Sequence, residues 1–238
     1  MNISDNLQKI KDKIQKAEIK SGRKPGSVKL MAVSKFHPSE EIVQAINAGQ
    51  LLFGENRVQE ASEKFPSLFE TYPNIDLQLI GQLQTNKVKN AVKIASCIQS
   101  VDRLELIKEI EKQCAKIGKK INILFEIHTG EASKSGYENI DLVKESLDFC
   151  AKGDFPHVNP TGFMTMAPFT DDEKLIRKSF ITLRTCAENL QKQYNMFNLT
   201  EVSMGMSGDF EIAIEEGSTM VRVGTAIFGQ RDAHYSKK

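Results

Sequence analysis

Lys35 closes a short apolar run, VKLMAVS (28–34). Such a run reads as a strand buried on both faces, the signature of a parallel sheet. A lysine at the end of that strand is in the first instance a solvated charge. Partly desolvated, it is an amine able to form a Schiff base with an aldehyde. Three other segments carry comparable chemistry. FGENRVQE (53–60) crowds Glu55, Asn56 and Arg57 into one turn, where Asn56 reads evenly as a helix cap or as a hydrogen-bond partner for a ligand. SMGMSGD (203–209) sets Gly205, Ser207 and Gly208 at a helix start, and VRVGTAIFG (221–229) follows its strand with Gly224 and Thr225. Glycine lets backbone approach a ligand closely, and helix starts present free N–H groups to anions. Both segments could grip a phosphate. They could equally be tight turns, with Ser207 as an N-cap. Arg222 lies inside the apolar strand MVRV, where a charge must be paired or touch a ligand. An ion pair with Glu126 and a contact to a ligand atom deep in the fold are the two readings.

These residues need a scaffold that gathers strand ends. Ile3, Leu7, Ile10, Ile14 and Ala17 make one face of a helix over about 3–20. After SGRKPGS (21–27), strands and helices alternate. Strands are expected at 28–34, 51–54, 77–81, 97–101, 121–127, within 157–164, at 200–204 and at 219–223. Pro38 falls at a first helical position, with Gly49 and Gly118 as helix terminators. Asp102 with Glu105, and Thr170 with Glu173, read as capping boxes. Eight such units are the size of a closed (β/α)8 barrel. The rival, an open doubly wound sheet, usually carries a glycine-rich first turn, and SKFHP has no G-x-G-x-x-G. The expectation is therefore α/β: a single (β/α)8 TIM barrel over about 28–231 with an extra N-terminal helix, one domain across 1–238. In that fold chemistry sits at the C-terminal strand ends, and phosphate sits after strands seven and eight. Ser207, Gly224 and Thr225 fall at those two places.

Composition removes several alternatives. Lys plus Arg is 32 against 31 for Asp plus Glu, a net charge of +1, with none of the basic excess of a nucleic-acid-coating protein. No apolar run reaches membrane-spanning length, and the charged N-terminus has no signal-peptide core. The four cysteines (97, 114, 150, 186) show no C-x-x-C and read as small buried hydrophobes in a reduced cytoplasm. The four histidines show no zinc spacing, so no metal is expected. GMSGD mimics a hydrolase elbow, but position 209 is Asp and the only later histidine is His234, so a serine hydrolase is set aside.

AVSKFHP, FGENRVQE, IGQLQTNK, SVDR, SKSG, GFMTMAP and SMGMSGDFEIAIEEGSTMVRVGTAIFG, in that order, resemble the pyridoxal-phosphate-binding homeostasis proteins, the YggS/PROSC family. The resemblance runs from about Val28 to Arg231. It implies a barrel similar to the N-terminal domain of alanine racemase, with pyridoxal 5'-phosphate as cofactor. It implies that Lys35 is the Schiff-base lysine and that Asn56 lies near the cofactor. Ser207, Gly224 and Thr225 would bind the phosphate, and Arg222 would face the pyridine nitrogen. An Arg there disfavours a protonated ring, since like charges repel. One departure is His128, where family members often carry Asn. The implied function is a cytoplasmic binding module, not an enzyme: it holds the cofactor as a lysine aldimine and buffers or delivers it, with apo-enzymes as candidate recipients. Nucleic acid and membrane are not expected as partners. The alternative is a small amino-acid racemase. Alanine racemase adds a second domain bearing a catalytic tyrosine, whereas this chain stops at Lys238 and its last tyrosine, Tyr235, lies in a polar tail.

Overall fold

The apolar stripe of the first segment forms helix α1 (Ile3–Lys20), and Asn2 Oδ1 caps it by accepting the N–H groups of Ser4 and Asp5. At its far end buried Glu18 accepts the backbone N–H of Gly26 (2.9 Å) and Val28 (2.7 Å), tying the connection that follows. That connection leads into β1 (Lys29–Val33). In this computed structural model, which describes residues 2–130 and 135–230, seven more strands follow. They are β2 (Leu52–Glu55), β3 (Asp76–Leu79), β4 (Cys97–Val101), β5 (Ile121–Glu126), β6 (Val158–Met164), β7 (Glu201–Ser203) and β8 (Met220–Val223). All pair in parallel and in sequence order, and the ring closes between β1 and β8. The register there sets Met31 against Arg222 and Ala32 against Val223.

The connecting helices are α2 (Ser39–Asn47), α3 (Val58–Thr71), α4 (Val88–Ile94), α5 (Leu104–Ile117), α6 (Ile140–Ala151), α7 (Glu173–Gln193), α8 (Phe210–Glu215) and α9 (Thr225–Phe228). A single 3₁₀ turn (Thr85–Lys87) leads into α4. Each helix buries an apolar stripe on the barrel's outside: Ile42, Ala45 and Ile46 from α2, and Leu106, Ile107 and Ile110 from α5. Such a fully buried Leu or Ile contributes roughly 1.5–3 kcal/mol. The closed (β/α)8 barrel expected from the alternating pattern is thus present. The short helix α9 was not anticipated. The four residues after Gly224, one threonine and three apolar, carry too little periodicity to announce a helix.

Local capping departs from the sequence expectation at several helices. α5 begins after Arg103 with no side-chain cap, because the Asp102 carboxylate pairs with the Arg103 guanidinium instead. At α7 the cap is Asp172, accepting from Lys174 N; Thr170 Oγ1 accepts from Asp172 N. An aspartate nearer the helix caps at least as well as threonine. Pro38 is the N-cap of α2, not its first helical residue. Gly118 does end α5 in the left-handed conformation, at φ 62°. Cys97, Cys114 and Cys150 are buried, but Cys186 is only half-buried.

Candidate functional site

A cavity of about 430 Å³ opens at the C-terminal ends of the strands. Lys35, Asn56, Ser207, Arg222, Gly224 and Thr225, drawn from four different strand ends, all line it. A larger hollow of about 740 Å³ lies at the opposite end, between α1 and the starts of β1–β3. Size does not choose between them. The buried carboxylate at the larger hollow, Glu18, is already satisfied by backbone, whereas the mouth gathers an amine, an amide, a guanidinium and two helix starts. Among the described residues no cluster of His, Cys, Asp and Glu is arranged to hold a metal ion, and no helix is long and apolar enough to cross a membrane.

The segment that carries Lys35 is braced from below. Lys64, on α3, donates to Ser34 O (3.0 Å), His37 O (3.3 Å), Glu55 Oε1 (2.5 Å) and Glu60 Oε1 (2.9 Å). Ser34 Oγ donates to Glu55 Oε1 (2.7 Å), and the N–H of Phe36 donates to Glu60 Oε1 (2.5 Å). The backbone on both sides of Lys35 is therefore held by one buried cation and two carboxylates. Phe36 adopts a left-handed φ of 65°, rare for a residue with a side chain. Burial pushes the Glu55 carboxyl up to about 7, against the lowering influence of Lys64. Its Oε2 is buried without a hydrogen-bond partner.

The three residues of the second strand end separate by role. Glu55 turns into this brace, Asn56 faces the cavity, and Arg57 lies outside with its guanidinium 5.3 Å from the centre of the Phe36 ring. Asn56 Oδ1 is buried without a partner. Its backbone sits so close to Gly81 that a Cβ there would lie 2.3 Å from Asn56 O, so position 81 must be glycine. His37 also lines the cavity, stacked on Phe228 and bonded through Nδ1 to Glu41 (2.8 Å).

The margin built by β7 and β8 is of another kind. Gly205, at φ 96°, packs on α8, where a Cβ would come 2.5 Å from Ala213 Cβ. It belongs to the turn and does not line the cavity. Gly224 does line it, with an ordinary φ of −114°. Ser207 is not the helix cap: Asp209 holds that place at α8 and accepts the N–H of Met206 (2.5 Å). That leaves Ser207 and Gly208 on the rim beside Thr225, the first residue of α9. Arg222 is 4% exposed, and its bonds run to neutral acceptors, Ser203 Oγ (2.7 Å) and Thr165 O (2.7 Å). An ion pair with Glu126, one of the two readings of this arginine, is absent among the described residues; Glu126 acts only at longer range. Burial pushes the Arg222 guanidinium down to about 10, opposed by the charges of Asp209 and Glu126, so it stays cationic at neutral pH.

His128 does not line the cavity; its N–H donates to Tyr137 O (3.1 Å) at the end of β5. Ser133 and Lys134 of the SKSG motif, Arg231, His234 and Tyr235 lie outside the described residues. Lys64, Glu60, His37 and Asp209 were not singled out from the sequence. Lys64 carried a readable signal, since Ala61, Lys64, Phe65 and Leu68 follow the spacing of one buried helix face.

Comparison with known proteins identifies the family. The family described as "Alanine racemase, N-terminal domain" matches residues 5–232. A pyridoxal phosphate homeostasis protein of Aquifex aeolicus is 39% identical over 232 residues, covering 97% of this chain and 99% of that one. Its Escherichia coli K12 counterpart is 36% identical over 242 residues, covering 100% and 99%. Among solved structures, PipY of Synechococcus elongatus with pyridoxal phosphate bound superposes with a TM-score of 0.82 at 34% identity, covering 95% of this chain and 100% of PipY. An alanine racemase of Clostridium difficile shares the fold alone, with a TM-score of 0.72 at 16% identity over 96% of this chain and 59% of the racemase. Matched nearly end to end by relatives of that name, the chain belongs to the family of pyridoxal phosphate homeostasis proteins.

Proposed function

We propose that the protein holds pyridoxal 5'-phosphate at the mouth of its barrel and serves cofactor homeostasis in the cytoplasm, buffering the free aldehyde and delivering it to apo-enzymes. The observation that carries this reading is the convergence of six residues from four strand ends on one cavity of about 430 Å³. The residues suit the group. Asn56 Oδ1 is a buried acceptor still lacking a donor, and Arg222 is a buried cation whose bonds to Ser203 and Thr165 leave N–H groups for the cavity. The cofactor supplies an aldehyde that a primary amine captures reversibly. Lys35 provides that amine, on a backbone fixed at Ser34, Phe36 and His37. Asn56 orients the ring by its side-chain amide. Ser207, Gly224 and Thr225 bind the phosphate through hydroxyls and backbone N–H groups, beside the starts of α8 and α9. Arg222 donates toward the ring nitrogen and keeps it unprotonated, a weaker electron sink that suits storage better than turnover.

The test is a titration of the purified protein with pyridoxal phosphate followed by borohydride reduction. One cofactor mass on the peptide carrying Lys35 is the expected result; a label on another lysine refutes the assignment.

The match to a racemase domain makes catalysis the second reading. Racemisation needs an acid/base group on each face of the substrate carbon. Lys35 serves one face. Of the other acid/base groups lining the cavity, His37 is held by Glu41 and stacked on Phe228, Asp209 is engaged with Met206, and Asp171 is exposed on the loop before α7. Chiral chromatography after incubation with alanine, serine, glutamate and lysine decides the matter. Turnover that depends on Lys35, at about 1 per second or faster, would favour the enzyme.

A further inference from the structure

The inside of a (β/α)8 barrel is usually filled by layers of branched apolar side chains. Here one path through it is polar. Arg222 Nη1 donates to Ser203 Oγ (2.7 Å). Ser203 Oγ donates to Gln99 Oε1 (2.7 Å), Gln99 Nε2 to Gln78 Oε1 (2.7 Å), and Gln78 Nε2 to Asp76 Oδ2 (3.0 Å). Gln99 and Ser203 are wholly buried, and the series links β8, β7, β4 and β3 from the cavity to the opposite end of the barrel.

Every bond in this series points the same way. The direction is set by Asp76, whose carboxylate accepts from Gln78 Nε2 on one oxygen and from Ser96 Oγ on the other. Gln78 must then turn its NH2 toward Asp76 and its oxygen toward Gln99. Gln99 must turn its NH2 toward Gln78 and its oxygen toward Ser203. The Ser203 hydroxyl spends its only proton on Gln99 and has just lone pairs left for residue 222. A guanidinium, which only donates, meets that demand. With Thr165 O taking the second Nη, the plane of the guanidinium is fixed from beneath.

We propose that Asp76, Gln78, Gln99 and Ser203 act as one polarised chain that holds Arg222 in place as a donor toward the ring nitrogen of the cofactor, with Gln99 the positioning residue at its centre. This rests on the proposed binding of pyridoxal phosphate. Gln99 touches no ligand; it acts through Ser203 on the one group that discriminates a ring nitrogen from a ring carbon.

The experiment measures a preference. The native protein and Gln99→Leu are each titrated with pyridoxal phosphate and with its analogue carrying carbon in place of the ring nitrogen. A hydrogen bond from a charged donor corresponds to a preference of about tenfold or more for the natural cofactor. The native protein is expected to show that preference and Gln99→Leu to lose most of it, falling below about threefold. Ser203→Ala, a smaller excision that cuts the chain at its upper end, is expected to do the same and serves if Gln99→Leu does not fold. Weaker binding of both ligands with the preference intact would make Gln99 a packing residue and overturn the proposal, as would an unchanged preference in the variants. A native protein that binds both ligands equally removes Arg222 from the ring nitrogen, and the chain's purpose with it. A native protein that binds neither refutes the cofactor reading itself.

Discussion

The two margins of the cavity are held by opposite means. On the β1–β2 side, three ionisable groups, Lys64, Glu55 and Glu60, are packed together beneath Lys35. On the β7–β8 side, Arg222 rests on a hydroxyl and a carbonyl, and the loops above it are glycine and serine. Under the proposed function, the difference follows from what each margin would fix. A lysine side chain has four rotatable bonds, so its amine is placed only if its backbone is, and Lys64 clamps that backbone at two carbonyls. A phosphate is gripped by backbone N–H groups and hydroxyls directly, so small residues suffice. Buried ion pairs contribute little net stability yet are costly to break, because the abandoned charge stays buried. Hydrogen bonds from separate hydroxyls and backbone N–H groups are lost one at a time, each costing about 0.5–3 kcal/mol. The lysine margin should therefore be brittle and the phosphate margin graded.

The largest effect expected is on Lys35. Lys35→Ala should abolish the visible absorption of the loaded protein altogether, while equilibrium dialysis still detects pyridoxal phosphate held by the other margin. Loss of all binding would mean that the phosphate loops contribute little by themselves. Next comes the clamp. Lys64→Met leaves Glu55 and Glu60 buried together without their cation and should destabilise the fold by about 3–5 kcal/mol in urea unfolding. A loss under about 1 kcal/mol, the range of a surface pair, would erase the contrast.

A third test uses pH. Glu55 titrates at about 7 in the fold, above its reference of 4.5. An acid raised in the folded state favours folding when protonated. Its contribution is complete below pH 4.5 and drains away as pH rises to about 7. Urea midpoints at pH 5 and pH 7.5 should therefore differ more for the native protein than for Glu55→Gln; equal differences exclude Glu55 as the source. The smallest effect lies across the cavity. Ser207→Ala should weaken pyridoxal phosphate by about tenfold and leave pyridoxal, which has no phosphate, unchanged. Equal weakening of both ligands would take Ser207 off the phosphate.

Much of this was legible in the chain itself. Alternating apolar runs and amphipathic stripes specify a parallel barrel because buried strands and one-faced helices have different periods. Once strand ends are known, Lys35, Ser207, Gly224 and Thr225 stand out as small or reactive residues at the rim, and all four line the cavity. What stayed hidden is whatever depends on competition between neighbours. Asp102 was free on paper to cap α5, but Arg103 claims its carboxylate. Glu126 was one candidate partner for Arg222, yet β5 does not adjoin β8, and Arg222 bonds to Ser203 on the adjacent β7 and to Thr165 O. Lys64 looks like any surface lysine of an amphipathic helix until its position on the buried stripe is noticed. Gln99 sits in CIQSV, a strand with every residue buried, and composition alone does not say which way its amide points.

Closure of the ring joins the first strand to the last, through Lys29–Met220 to Ala32–Val223. Lys35 follows the first strand and Arg222 lies in the last, so the two margins meet only once all eight strands have been made. Pairing between such distant segments is the slow kind of folding event, since loop-closure entropy must be overcome first. A ligand that touches both margins recognises only the finished ring and fastens it like a clasp. At a hundredfold excess over its dissociation constant it adds about 2.7 kcal/mol to the closed state.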